Sequence, residues 1–367
     1  ELVERRKWVS EKDYADLVAL CQFLPGPASS QVGFAMGLAR GGVLGALIAF
    51  TAFTLPSAVL MVAFAFGADA FGGPIATAIL SGLKVVAVAI VAQAVAGMAR
   101  NLTPDMRRAL IAVAAALLAL LLPGSWGQIS AIVLGAVAGI LFCRTDDGAI
   151  GGSLHFAIPR AVGIAALILF GVLLFGLPLL AAATRWSGIA VFDAFYRSGA
   201  LVFGGGHVVL PLLQGAVVDA GWVSQSAFLT GYGAAQAVPG PLFTFAGYLG
   251  AILHTTPTGI PGAVVALVGI FLPGFLLLIG VLPFWDQLRA RVGVRAVMRG
   301  ANAAVVGILG AALYTPVFTT AITGIPQFAL ALVCFVLLTA AKLPPWAVVL
   351  VGAAGGLVIG AIGGRLS

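Results

Sequence analysis

Charge is scarce in this sequence. Of its 367 residues, 8% are Asp, Glu, Lys or Arg, as 12 acidic and 19 basic side chains. Soluble globular chains carry roughly 25%, so a soluble enzyme, a disordered chain and a nucleic-acid reader are excluded. Three cysteines (Cys21, Cys143, Cys334) and three histidines are spread along the chain with no CxxC or ligand spacing, which gives no sign of a metal, redox or cofactor site. The alternation of polar and apolar residues that marks an outer-membrane barrel is missing too: residues 110–122 hold no polar side chain. What is abundant is apolar surface, at 61% of residues with a mean hydropathy of +1.14. Runs near the 20 residues of a spanning helix make this an all-α polytopic membrane protein. The first residues, 1–7, are charged and do not resemble a signal peptide.

The chain is internally duplicated. Trp8-Val9-Ser10 recurs as Trp222-Val223-Ser224, Gln22 as Gln236, Pro25-Gly26-Pro27 as Pro239-Gly240-Pro241, and Gly33 as Gly247, all at an offset of 214. With small shifts the match continues through Leu55-Pro56 and Leu272-Pro273, Ser81-Gly82 and Arg299-Gly300, Lys84 and Asn302, Thr103-Pro104 and Thr315-Pro316, and Trp126 and Trp346. Residues 1–143 and 189–367 are thus two copies of one membrane unit, joined by residues 144–188. Residues 195–214 of the second copy have no counterpart upstream of Trp8. The first copy is therefore expected to lack its amino-terminal broken helix.

The copies are expected to have inverted topology. Arg5, Arg6 and Lys7 precede the first Trp, whereas Asp219 precedes the second. Asp69 stands where the second copy has Arg289, Arg291, Arg295 and Arg299, and Arg100, Arg107 and Arg108 stand where it has no charge. Basic residues favour the cytoplasmic side, so a bias reversed at three successive loops reverses the direction of insertion. The apolar segment 161–183 supplies the odd crossing that inversion needs. The Gly-rich stretch before it, with Asp146, Asp147 and His155, reads as a solvated loop.

Segments 13–39, 189–214 and 227–253 are broken at glycine or proline, at Pro25-Gly26-Pro27, Gly204-Gly205-Gly206 and Pro239-Gly240-Pro241, and read as re-entrant. Segments 42–66, 75–99, 262–284 and 296–313 read as full spans, and 109–142 and 325–362 as pairs of short helices. Broken helices at membrane depth survive inside protein or beside water, and matching breaks in inverted repeats mark a secondary transporter. Each break is followed by an apolar helical run whose free N–H groups favour an anion. Ser29, Ser30 and Gln31 follow the first break, His207 the second and Thr244 the third. A tight turn outside any site is the plainer reading of Pro-Gly-Pro, and close helix packing that of the glycine triplet. Arg197, Asp193 and Lys84 are charges within apolar segments, placed either to line a path or couple transport or, for Arg197 and Lys84, to snorkel to the interface.

At these motifs the sequence resembles the chromate ion transporter family. The pieces are Arg5-Arg6-Lys7-Trp8-Val9-Ser10, Cys21 through Gln31 with its Pro-Gly-Pro-Ala-Ser-Ser-Gln core, Ala39-Arg40-Gly41-Gly42, Phe203-Gly204-Gly205-Gly206-His207 and Gln236-Ala237-Val238-Pro239-Gly240-Pro241. The resemblance implies the long two-domain form, in the bacterial inner membrane, exporting chromate, with sulfate as a chemically similar oxyanion. Its functional motifs fall on Pro25–Pro27 with Ser29–Gln31, on Gly204–His207 and on Pro239–Pro241. The family's Phe-Gly-Gly-Pro segment before the first basic loop is absent here, which leaves the first half-site incomplete. An anion channel shares the same cage and is the alternative. An intramembrane enzyme would need paired acids or a nucleophile and base, and the apolar segments offer Asp193 and His207. The expected partners are a small oxyanion and the bilayer, with no nucleic acid. A homodimer is left open.

Overall fold

The computed structural model describes residues 11–70, 73–122, 124–144, 158–289 and 291–366. Trp8-Val9-Ser10, the basic Arg5–Lys7, Asp146, Asp147 and His155 lie outside them. The described elements are helices throughout, and six are long and apolar enough to cross a membrane. The protein is an all-α, multi-pass membrane protein.

Each element of the first half has a counterpart in the second. In the first half α1 (Glu11–Phe23) precedes the Pro-Gly-Pro break, α2 (Ala28–Ala70) follows it, and α3 (Pro74–Leu102), α4 (Met106–Leu121) and α5 (Gly124–Phe142) complete the unit. The connecting helix α6 (Arg160–Thr184) leads to α7 (Ser187–Ala200), and a glycine-rich break precedes the short α8 (Val209–Leu213). In the second half α9 (Gln225–Ala235) precedes the break and α10 (Phe245–Ala251) follows it. Then come α11 (Gly259–Val281), α12 (Trp285–Arg289), α13 (Val292–Ala312), α14 (Thr319–Ala321), α15 (Ile325–Thr339) and α16 (Pro345–Leu366). Thus α1 corresponds to α9, the two arms of α2 to α10 and α11, α3 to α13, α4 to α15 and α5 to α16.

The arms of α2 are separated at Gly41 and Gly42, and Gly42 has φ 60° and ψ −152°, a conformation open to glycine. Gly37 and Gly45 lie in backbone contact, although eight residues of straight helix would put them about 12 Å apart. The chain therefore folds back there. Gly250 of α10 and Gly262 of α11 make the same contact in the second half.

The halves exchange partners reciprocally. Gly82 of α3 packs against Gly352 and Gly356 of α16, while Gly300 of α13 packs against Gly135 and Gly139 of α5. Gly82 and Gly300 are repeat equivalents, so one small-residue contact is used twice. Direction is inverted between the copies. Asp105, Arg107 and Arg108, just past the end of α3, line one pocket with Arg299, near the start of α13. Equivalent helices thus run in opposite directions.

The re-entrant hairpins of the second half are visible in their tethers. Trp222, before α9, accepts a hydrogen bond at 2.9 Å from the N–H of His254, after α10. Ser187, at the start of α7, meets Thr256 hydroxyl to hydroxyl at 2.7 Å. Both hairpins therefore begin and end at one end of the bundle. With 14 residues in α7 and 11 in α9, neither arm reaches across a hydrocarbon core of about 30 Å.

Sequence and structure differ after α13. Residues 314–321, expected as a loop around Thr315-Pro316, continue as a π-helical turn and α14, interrupted by extended backbone at Thr315 (φ −122°, ψ 118°). Large apolar side chains such as Ile168, Val172, Phe175 and Leu179 on α6 stay exposed, as a lipid-facing surface requires.

Candidate functional site

The three breaks meet. Gly26, in the first Pro-Gly-Pro, donates its N–H to the Val202 carbonyl at 2.8 Å, just before the glycine triplet. At the other end of that triplet, a Cβ added to Gly206 would lie 3.7 Å from Leu242 Cβ, one residue past the second Pro-Gly-Pro. Segment 202–206 thus bridges the two matched breaks. Gly26, Gly204, Gly205 and Gly240 have φ of 119°, 78°, 135° and 138°, so all three turns use backbone that L side chains rarely adopt.

Each Pro-Gly-Pro docks on a helix of the other half beside an internal proline. The first lies against α11 at Pro273-Gly274, where a Cβ on Gly26 would stand 3.0 Å from Gly274 Cα. The second lies against α2 at Pro56-Ser57, with Ser57 Oγ 2.5 Å from the position of a Gly240 Cβ. Pro56 and Pro273 are repeat equivalents, as are Ser57 and Gly274. An internal proline removes one helical hydrogen bond, so each break rests where the facing helix is itself opened.

Gln31 fastens the first docking site. Fully buried, it donates from Nε2 to the Pro25 carbonyl at 3.1 Å and to the Gly274 carbonyl at 2.9 Å. The first intrahelical bond of α2 runs from the Gln31 N–H to the Pro27 carbonyl at 2.9 Å, so the N–H groups of residues 28–30 precede the helical ladder. Correspondingly, Val208 is the first donor after the glycine triplet, to Gly205, and Thr244 the first after the second Pro-Gly-Pro, to Pro241. Three helix N-terminal turns are therefore grouped around one bridging segment.

The polar side chains there are unevenly satisfied. Ser30 Oγ, Gln31 Oε1, Asn302 Oδ1 and Gln236 Nε2 are buried with no hydrogen-bond partner. A Cβ on Gly204 would lie 3.5 Å from Asn302 Oδ1, so Asn302 faces the triplet. His207 Nδ1 sits 2.7 Å from the Tyr232 hydroxyl. The Thr244 hydroxyl is turned back to the Pro241 carbonyl at 2.9 Å. The two copies are not equivalent in exposure: Pro25–Pro27 are buried while Pro239 and Gly240 are exposed, and Ser29 and Gln22 are exposed.

The charged candidates stand apart. Arg197 turns back along α7 and pairs with Asp193 through two bonds of 3.0 and 2.7 Å, the carboxylate being buried and the guanidinium half-exposed. Arg197 borders a cavity of about 20 Å³ with Gln128, Ser198 and Leu212, room for about one water. Lys84 Nζ donates to Ser226 Oγ at 3.1 Å, at the start of α9 and away from the breaks.

Pro56, Ser57, Pro273, Gly274 and Tyr232 belong to this arrangement and were not read as site residues in the sequence. The signal for the first four is a proline inside an apolar run at matched positions. For Tyr232 it is a lone phenol four residues before Gln236. Among the described residues no group of three or more His, Cys, Asp or Glu is placed to hold a metal ion.

The chain matches the family described as "Chromate transporter" over residues 1–140 and 189–357. A chromate transport protein of Pseudomonas aeruginosa is 28% identical over 317 residues, spanning 85% of this chain and 73% of that protein. One from Cupriavidus metallidurans is 26% identical over 365 residues, or 96% and 84% of the two chains. A probable chromate transport protein of Synechococcus elongatus is 28% identical over 325 residues, or 85% and 76%. No solved structure matches.

Proposed function

This chain belongs to the chromate transporter family, and from that premise we propose that it is a secondary transporter carrying chromate, or a sulfate-like oxyanion, out of the bacterial cytoplasm across the inner membrane. The anion is held between repeats 1–143 and 189–367 by the N-terminal turns after the three breaks. The observation that carries this reading is their grouping: Gly26 bonds Val202 and Gly206 abuts Leu242, so N–H groups from both halves serve one place.

The chemistry fits a tetrahedral dianion. Helix N-termini carry partial positive charge and pointed N–H donors. Three of them oppose a dianion without a full cation in contact, and binding stays weak enough to reverse. Serine hydroxyls at Ser29 and Ser30, with the imidazole of His207, supply further donors, while Thr244, whose hydroxyl donates to Pro241, shapes the third turn. Gln22, Gln31 and Gln236 set the break geometry, Lys84 and Asn302 lie along the path, and the Asp193–Arg197 pair couples a second ion.

Alternating access follows from the seams. Each break is docked on the opposite half, so rocking one repeat against the other opens Gly26 from Gly274 or Gly240 from Ser57. The test is chromate uptake into inverted vesicles containing the protein. Saturable uptake, competed by excess sulfate and collapsed with the ion gradient, is expected. Uptake that persists without the gradient and conducts as single-channel current refutes a secondary transporter.

A further inference from the structure

His207 lies in the first turn after the glycine triplet, and its Nδ1 is 2.7 Å from the hydroxyl of Tyr232 on α9. The bond ties one broken helix to the next. Tyr232 is held in place by its neighbours in the chain. A Cβ on Gly231 would overlap the Tyr248 ring of α10, and a Cβ on Gly233 would overlap the Leu83 carbonyl of α3. The backbone of α9 is thus clamped on both sides of Tyr232. The phenol ring is fully buried, with Phe245 edge-on at 5.8 Å. A rigid support therefore delivers the hydroxyl to the imidazole.

In a neutral imidazole one nitrogen donates and the other accepts, and the bond made by one decides the role of the other. A phenol is an acid of pKa about 10, whereas the imidazole lone pair is a base whose conjugate acid has a pKa of about 6.5. The phenol is therefore the donor and Nδ1 the acceptor. The opposite arrangement would leave the phenolic proton to find a second acceptor beside Phe245, and a buried donor without one is costly. With Nδ1 accepting, the ring proton resides on Nε2. The two nitrogens lie on different edges of the ring, so Nε2–H points away from Tyr232. It joins the backbone N–H groups of Gly206 and His207, which precede the first internal bond of their turn, from Val208 to Gly205.

We propose that Tyr232 is a positioning residue for transport: its hydroxyl holds His207 as the Nε2–H tautomer and keeps that N–H turned to the oxyanion at the breaks. Tyr232 has this role only if the grouped breaks hold the anion, as proposed above. The bond decides the sign of what the ring presents. In the other tautomer Nε2 carries a lone pair, which repels a dianion. A ring flip likewise replaces Nε2–H by a carbon edge. Without the hydroxyl both alternatives open, and part of the population loses its donor.

Nitrogen NMR of the full chain in lipid, with isotope-labelled histidine, reads the tautomer directly, and the His207 signals are assigned by their loss in His207→Asn. The wild type is expected to show Nδ1 as an unprotonated acceptor and Nε2 as protonated, and chromate is expected to shift Nε2. Tyr232→Phe keeps the packed ring, moves the Nδ1 signal and lets the tautomers mix. In vesicles it raises KM for chromate by roughly three- to tenfold, the worth of one hydrogen bond, with the maximal rate little changed. Tyr248→Phe removes a phenol of the same hairpin that donates to the Ala227 carbonyl, and it leaves the signals and KM as they are. His207→Gln, whose amide N–H can stand in for Nε2–H, retains more uptake than His207→Asn, whose shorter amide reaches only the place of Nδ1. An Nδ1–H tautomer in the wild type, an Nε2 signal indifferent to chromate, or equal uptake by His207→Asn and His207→Gln overturns the proposal. If the wild type takes up no chromate, the transport reading fails and this role falls with it. If uptake is present and Tyr232→Phe changes neither KM nor the tautomer, the role of Tyr232 alone fails.

Discussion

Replacing Gly26 by alanine probes the docking of the first break directly. Gly26 has φ +119°, and holding an L residue in such a region costs about 1–3 kcal/mol. The added methyl would also stand 3.0 Å from Gly274 Cα and 3.0 Å from Gln31 Nε2. The first neighbour is backbone of a packed helix, and the second is held by two hydrogen bonds. Crowding of this kind typically adds about 1–3 kcal/mol, so the combined loss is about 2–6 kcal/mol. With an unfolding entropy near 2.1 cal/mol/K per residue, a chain of this length loses about 1.3 °C per kcal/mol, or roughly 3–8 °C. Gly33→Ala is the matched control. It lies one helical stretch further on with nothing within 4 Å of an added Cβ, and helix propensity makes it stabilising by up to about 1 kcal/mol. The assay is thermal unfolding of the purified protein in detergent beside chromate uptake in vesicles. Gly26→Ala is expected to lower both, and Gly33→Ala to raise the midpoint slightly. A Gly26→Ala protein with unchanged midpoint and uptake refutes the docking account.

Other perturbations separate the remaining parts. Gly300→Ala places a methyl against the Gly135 carbonyl and the Gly139 backbone; it should cost about 1–3 kcal/mol, read as the same thermal shift, and Gly82→Ala at the equivalent α3–α16 contact should match it. Asp105 caps α4, and Asp105→Ala should cost about 1 kcal/mol. The Arg108 N–H first, then its guanidinium, hold the Asp105 carboxyl below its ordinary range. Its contribution is therefore present above the unfolded carboxylate range and lost as pH falls through the depressed value, and the wild type and Asp105→Ala should converge in stability at acid pH. Asp193→Asn removes the negative half of the pair with Arg197 and should alter the pH dependence of chromate flux; an unchanged profile rules Asp193 out of coupling.

Most of the architecture was legible because membrane helices declare themselves by length and their breaks by Gly and Pro. The Pro-Gly-Pro pair, the glycine triplet and the connecting helix at 161–183 all emerge where the apolar runs are punctuated. Inversion was legible from loop arginines, and the structure brings Arg107, Arg108 and Arg299 into one pocket. Contacts between distant segments were not legible. Pro56 and Pro273 appear in the sequence as a repeat match, but their use as docking faces depends on residues more than 180 positions away. Asp193 and Arg197 stand at i,i+4 on α7, a spacing that favours pairing on a helix, yet composition alone presents them as two separate charges. The helical continuation through residues 314–321 was masked by Pro316, which locally forces extended backbone at the residue before it.

The central claim is that the grouped helix N-termini hold the anion. A structure of the protein with chromate bound, with chromium located by its anomalous signal, tests it most directly. The account predicts chromium within hydrogen-bonding reach of the N–H groups at residues 28–30, 206–207 and 242–243. Chromium on Arg197, or among Arg107, Arg108 and Arg299 with the breaks empty, would contradict it.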